Sequence, residues 1–258
     1  MASPNHDARA GQDRADILLL HYTGMTSGQA ALDRLRDPDA KVSSHYFVEE
    51  DGRVLQLVPE ARRAWHAGQG SWHGRGDVNS RSIGIEIVNP GHAHGYRPFP
   101  ARQIAAVVEL CRDCVSRLSI RPERVLAHSD IAPARKEDPG ELFPWDQLFR
   151  AGVGLWVPAA PIGDDRGPRA GDEGPDIAAF QVALRRFGYD VPTDGKFDET
   201  TRLATVAFQR HHRRERVDGI ADASTRGTLG ALLCGSAWKR DPGSGVIGVE
   251  KGPLIPVV

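Results

Sequence analysis

The stretch "DILLLHYT", residues 16–23, sets four aliphatic side chains in a row ahead of a histidine. Bounded by polar residues, it reads as a short buried strand that delivers His21 at its exit. Four more segments have the same texture: "SSHYFVEE" (43–50), "RVLQLV" (53–58), "SIGIEIVN" (82–89) and "RVLAHS" (124–129). Turn residues such as Asp51-Gly52 and Asn89-Pro90-Gly91 separate them. Between the last two strands, Ile104, Val107, Val108, Cys111, Val115 and Leu118 recur at helical spacing after Pro100, a residue suited to a helix start. A shorter helix is expected from Ser27 to Leu35. The fold class that follows is mixed α/β, a central β-sheet flanked by helices.

This pattern occupies residues 1–151. Residues 152–174, "GVGLWVPAAPIGDDRGPRAGDEG", combine three prolines with many glycines and little apolar periodicity, the composition of a linker. Beyond it the texture turns helical. Ile177, Phe180, Leu184 and Phe187 form one stripe that Gly188 stops. "DGKFDETT" at Asp194 and "DGIADAST" at Asp218 echo each other, each with an Asp four residues after the first, Asp198 and Asp222, placed to cap a helix. A small all-α domain of three helices is expected over 175–235, followed by a tail, 236–258.

At 258 residues the chain has room for two unequal domains. The 33 basic and 34 acidic residues nearly cancel, and no long basic block is present, so nucleic acid is not an expected partner. No apolar run approaches the ~20 residues that cross a bilayer, so no membrane span is expected either. The polar start "MASPNHDARAGQDRAD" lacks the pattern of a secretory signal, which points to the cytoplasm, or to the periplasm if the chain is a cut mature form. Three cysteines do not make a disulfide framework, and Cys111 and Cys114, inside the helical pattern, read as core.

The chemistry concentrates where strands end. A catalytic zinc site needs three protein ligands on rigid elements and one open position. His21 follows "ILLL" and His128 follows "RVLA", so both can project from neighbouring strand ends. Asp138 lies on the irregular segment after His128 and can fold back as a third ligand. Ordinary polar residues at strand ends would look the same, and the two readings stand side by side on the residues alone. In "SIGIEIV", Ile83, Ile85 and Ile87 share one face, while Ser82, Gly84 and Glu86 share the other. A carboxylate in so apolar a strand is costly unless paired or working, and Glu86 is placed to be a general base for a metal-activated water. Lys136, two residues before Asp138, could stabilise negative charge building on an oxygen.

Taken in order, "LLLHYTGM", "VSSHYFVEEDGRVLQLVPE", "RAWHAG", "SIGIEIVN", "HSDIAPARKEDPG" and "FPWDQL" resemble the zinc-dependent N-acetylmuramoyl-L-alanine amidases of the type 2 amidase family, relatives of the peptidoglycan recognition proteins. The resemblance covers about residues 4–150. It implies one zinc ion held by His21, His128 and Asp138, with Glu86 and Lys136 catalytic. It also implies hydrolysis of the amide joining (anhydro-)N-acetylmuramic acid to the first L-alanine of the stem peptide, in peptidoglycan turnover or recycling. Ala134 and Glu137 depart from the Gly and Thr common in the family's loop, which leaves the ligands untouched. His45, Tyr46, Trp65 and His66 are candidate substrate contacts, with strand or core packing as the alternative for His45, Tyr46 and Trp65.

Residues 180–229 are similar to the three-helix peptidoglycan-binding domain that accompanies many wall hydrolases, which implies a tether that concentrates substrate. The run "RHHRRER" (210–216) could meet acidic stem peptides or form a solvated helix end. Peptidoglycan or soluble muropeptides are the expected partners, with no protein partner. Two other readings remain: a zinc peptidase cutting within the stem peptide, and a non-catalytic peptidoglycan-recognition module.

Overall fold

The computed structural model describes residues 2–11 and 14–235, so the expected tail, 236–258, lies outside the described residues. In chain order the elements are β1 (His6–Ala8), β2 (Ile17–Tyr22), α1 (Gly28–Arg36), β3 (Tyr46–Val48), β4 (Val54–Gln56), β5 (Arg62–Ala64), α2 (Val78–Arg81) and β6 (Ser82–Ile87). They continue with α3 (Ala101–Leu118), β7 (Val125–Ala127), α4 (His128–Ile131), α5 (Trp145–Arg150), α6 (Pro175–Phe187), α7 (Glu199–His212) and α8 (Ala223–Cys234).

Five strands form the central sheet in the order β4-β3-β6-β2-β7. The pairs β3–β6, β6–β2 and β2–β7 are parallel, and the pair β3–β4 at one edge is antiparallel. Parallel strands need both faces covered, which accounts for the unbroken aliphatic run in β2, where Ile17 to Leu20 are fully buried. The alternation in β6 works as expected. Ile83, Ile85 and Ile87 pack with Ile104, Val107 and Cys111 of α3, leaving the opposite face for Ser82, Gly84 and Glu86. Ser27 caps α1 by accepting from the Ala30 N–H at 3.1 Å.

One local feature was not foreseen and another differs from expectation. The polar N-terminus is tied down: β1 pairs antiparallel with β5, and Arg9 donates to the Ser80, Ser82 and Glu60 carbonyls. Backbone pairing of this kind leaves no apolar signal in so short a strand. The segment after β7, expected to be too broken by proline for any helix, begins with the helical turn α4, because Pro133 falls just after the turn rather than inside it.

The second unit is three-helical as expected, with Asp198 and Asp222 accepting from the Thr201 and Thr225 N–H groups at 2.8 and 2.7 Å. It is not held at arm's length. Trp72 is 1 % exposed and shares one apolar cluster with Leu126 and Ile131 of the sheet half and with Ile177, Phe180, Leu184, Tyr189 and Phe208 of the helical half. Residue 188 is glycine for this reason: a Cβ there would lie 2.3 Å from the Trp72 ring. Residues 152–174 are irregular, as a linker should be, yet fastened down. Val153 and Val157 are buried, Ala160 bonds both Ser224 and Thr228, and the Pro168 carbonyl accepts from Ala221.

Candidate metal centre and cavity

Parallel registry assembles the centre. Along β2 and β6, His21 stands directly beside Glu86, and along β2 and β7, Leu20 stands beside Ala127, so that His128 emerges next to His21. Three adjacent strands thus bring two histidines and a carboxylate to one end of the sheet. The chain beyond α4 returns Asp138, whose backbone carbonyl accepts from the Ser129 N–H at 3.1 Å and ties the loop back to the turn it left.

The three expected ligands converge. His21 Nδ1 and His128 Nδ1 are 2.8 Å apart, and Asp138 Oδ2 lies 3.0 and 2.9 Å from them. All three residues are buried. The surrounding hydrogen bonds decide the tautomers. His128 Nε2 faces the Ala67 carbonyl at 3.0 Å and must donate to it, which leaves Nδ1 as a bare lone pair. On the other side Ser82 Oγ donates to the Val78 carbonyl at 2.7 Å, so it accepts from His66 Nε2 at 3.2 Å. His66 Nδ1 then accepts from His21 Nε2 at 2.9 Å, which leaves His21 Nδ1 as a second lone pair. Two nitrogen lone pairs and a carboxylate oxygen meeting within about 3 Å, in a buried place, repel one another unless a cation lies between them. Two imidazoles and one carboxylate, each oriented from behind, are a donor set that suits zinc.

Burial and the neighbouring His128 bring the His21 pKa down to about 4, which keeps the ring neutral. Glu86 goes the other way, pushed well above the ordinary carboxylate range by burial and then by Asp138, with Lys136 opposing. Its Oε2 is enclosed without a hydrogen-bond partner, so its place is not explained by packing or pairing. Among the described residues no carboxylate lies within ion-pair distance of Lys136, and its ammonium is free to meet charge in the cavity.

These groups line a cavity of about 570 Å³ together with Tyr22, Arg34, Trp65, His66 and Arg135. The substrate-contact expectation divides here. Trp65 lines the cavity with its indole N–H unpartnered. His66 lines it too, but its hydrogen bonds run to His21 and Ser82, which makes it the support behind a candidate ligand. Glycine at 84 makes room for it, since a Cβ would lie 2.4 Å from the ring. His45 and Tyr46 are corrected to the packing alternative. His45 is fully buried, accepting from the Gly84 N–H and donating to the Arg62 carbonyl, and Tyr46 donates to Glu60 at 2.8 Å. Neither lines the cavity: strand alternation turns Tyr46 to the α3 face, and His45, on the face of Glu86 but one strand over, packs edge-on against His66.

Sequence reasoning passed over Arg135, which donates to the Ala67 and Gln69 carbonyls at the cavity wall, and the orienting role of Ser82. Ser82 was legible in principle, being on the same face of β6 as Glu86. Both readings of "RHHRRER" give way as well. His211, His212 and Arg213 are buried, and Arg210 and Arg214 pair with Glu137 and Asp146 of the sheet half, so the run is neither a solvated end nor a free basic patch.

Residues 11–141 match the N-acetylmuramoyl-L-alanine amidase family, and residues 173–229 match a peptidoglycan-binding domain family. The chain is 40% identical over 240 residues to the N-acetylmuramoyl-L-alanine amidase AmiD of Escherichia coli, covering 88% of this chain and 85% of AmiD. It is 32% identical over 160 residues to the 1,6-anhydro-N-acetylmuramyl-L-alanine amidase AmpD of the same organism, covering 55% of this chain and 85% of AmpD. Among solved structures, E. coli AmiD in complex with its substrate anhydro-N-acetylmuramic acid-L-Ala-D-gamma-Glu-L-Lys superposes with a TM-score of 0.72 at 38% identity, covering 89% of this chain and 92% of that one. AmpDh3 of Pseudomonas aeruginosa, in complex with anhydromuramic pentapeptide, gives 0.71 at 27% identity, covering 92% and 98%.

Proposed function

The chain belongs to the N-acetylmuramoyl-L-alanine amidase family, and from that membership we propose that it hydrolyses the amide between the lactyl group of (anhydro-)N-acetylmuramic acid and the L-alanine of a stem peptide, using one zinc ion. The observation that carries this reading is the meeting of three lone pairs at His21, His128 and Asp138 beside the unpartnered carboxylate of Glu86. It is supported by the similarity to AmiD along most of both chains.

Bound by those three side chains, zinc would supply Lewis acidity toward the scissile carbonyl and lower the pKa of water to about 7. Glu86 takes the proton of the attacking water, for which its raised pKa makes it a stronger base than an exposed carboxylate. It then gives that proton to the alanine nitrogen as the C–N bond breaks, leaving a lactyl carboxylate and a free amine. Lys136 faces the oxygen on which negative charge develops. Arg34 and Arg135 at the cavity wall suit the carboxylates of a stem peptide.

Incubation with anhydro-muramyl tripeptide, followed by mass spectrometry, is expected to release a free peptide that begins with L-alanine. Chelation should abolish that release, and one equivalent of zinc should restore it. A product cut inside the peptide would indicate the peptidase reading instead, and full activity after exhaustive chelation would remove zinc from the account.

A further inference from the structure

Nothing in the proposed chemistry uses the helical half, yet that half grips the loop that carries two of the three ligands. Asp130 is 1 % exposed and sits in α4, a single turn opened by His128. Its Oδ2 accepts from the Ala127 N–H at 2.8 Å, the residue just before the ligand. The remaining donors come from the other half of the molecule: Tyr189 Oη–H to Oδ1 at 2.6 Å and His211 Nδ1–H to Oδ2 at 2.7 Å. A buried carboxylate without donors is strongly disfavoured, and a four-residue turn has too few internal hydrogen bonds to hold its own shape. The far end of the same loop is held from the same helix, where Arg210 meets Glu137 at 2.8 Å and Glu141 at 3.7 Å, on either side of Asp138. His211 also stacks on Trp145 with ring centroids 3.7 Å apart.

We propose that the helical half is a working part of the metal centre: Tyr189 and His211 are positioning residues that fix Asp130, and through it the turn that aims His128 at the cation. This rests on the metal reading above and goes beyond it. The half expected to serve as a tether acts on the geometry of catalysis instead, whether or not it also binds wall.

The test uses the full chain. Tyr189→Phe removes one hydroxyl and keeps the ring against Trp72. His211→Ala removes the second donor, and His211→Asn returns a donor near the place of Nδ1. The comparison variant is Leu184→Ala, a core change in the same half with no hydrogen bond to Asp130. Zinc affinity, read by competition with a chromophoric chelator well below the unfolding temperature, is expected to fall about tenfold in Tyr189→Phe and His211→Ala, at the low end for groups that orient metal ligands. It should recover in His211→Asn and stay at the wild-type value in Leu184→Ala, although that variant lowers the melting temperature. On muramyl tripeptide, kcat should fall in the first two variants with KM unchanged. Wild-type zinc affinity in Tyr189→Phe, or an equal loss in Leu184→Ala, would overturn the proposal, and Tyr189→Phe decides it alone if His211→Ala does not fold. A wild-type chain that takes up no zinc would bring down the metal reading first and the clamp with it.

Discussion

At the scale of single residues, the centre is organised by who donates to whom. His66 and the Ala67 carbonyl stand behind the two proposed ligand histidines and compel their lone pairs inward. This was half legible: the ligand types and the odd carboxylate in β6 stand out in the linear chain, whereas the tautomers depend on Ser82 and Val78 contacts made in space. Glu86 is the sharpest point of the proposed mechanism. Glu86→Gln keeps the shape and removes the base, so kcat should fall about 10²- to 10⁴-fold. Zinc content, measured by metal analysis on the purified variant, should stay at one ion per chain. Undiminished turnover would assign the proton transfer to another group.

At the scale of elements, the helical half repeats one device. Gln181 and Gln209, each buried, reach from one helix to the loop and helix that follow. The Gln181 carbonyl accepts from Gly195 N–H while its amide donates to the Lys196 carbonyl and Thr201. Gln209 treats Asp218, Gly219, Ile220 and Thr225 in the same way. The Asp-Gly echoes and their caps were visible in the sequence. The glutamines were not, because they sit at an offset of their own and look like polar residues on a helix. Gln209→Leu strands two buried N–H groups and a carbonyl, and should destabilise the chain by about 2–4 kcal/mol. Urea unfolding measures this directly, and a loss under about 1 kcal/mol would mean that the Asp-Gly turn holds itself.

At the scale of the whole molecule, two halves share one core and several buried histidines. Burial brings His45 down to about 3, and burial with the charge of His211 holds His212 well below the ordinary value. Both are lowered in the folded state, so the stability they contribute is complete above the unfolded value of ~6.5 and is lost as pH falls, down to about 3 for His45. In that window the unfolded chain binds protons that the folded one refuses, and each histidine costs up to about 1.4 kcal/mol per pH unit. Denaturant midpoints should therefore drop steadily from pH 7 to pH 5, before ordinary carboxylates begin to titrate. A flat profile over that range would mean that these rings protonate in place.

The sequence by itself determined the five strands of the central sheet, the main helices, the two-part layout and the candidate ligand types, because burial on both faces of a parallel sheet and capping of helices are local demands written in residue order. The tertiary structure decided the rest. Parallel registry put His21 beside Glu86 and His128, strand alternation turned Tyr46 away, and His45 was taken up in packing against His66. Docking of the helices converted "RHHRRER" from an apparent surface run into the grip on Asp130 and Glu137. These outcomes depend on which groups meet across 45 to 117 residues of chain, and hydrogen-bond partners at that separation leave no periodic trace for a linear reading to find.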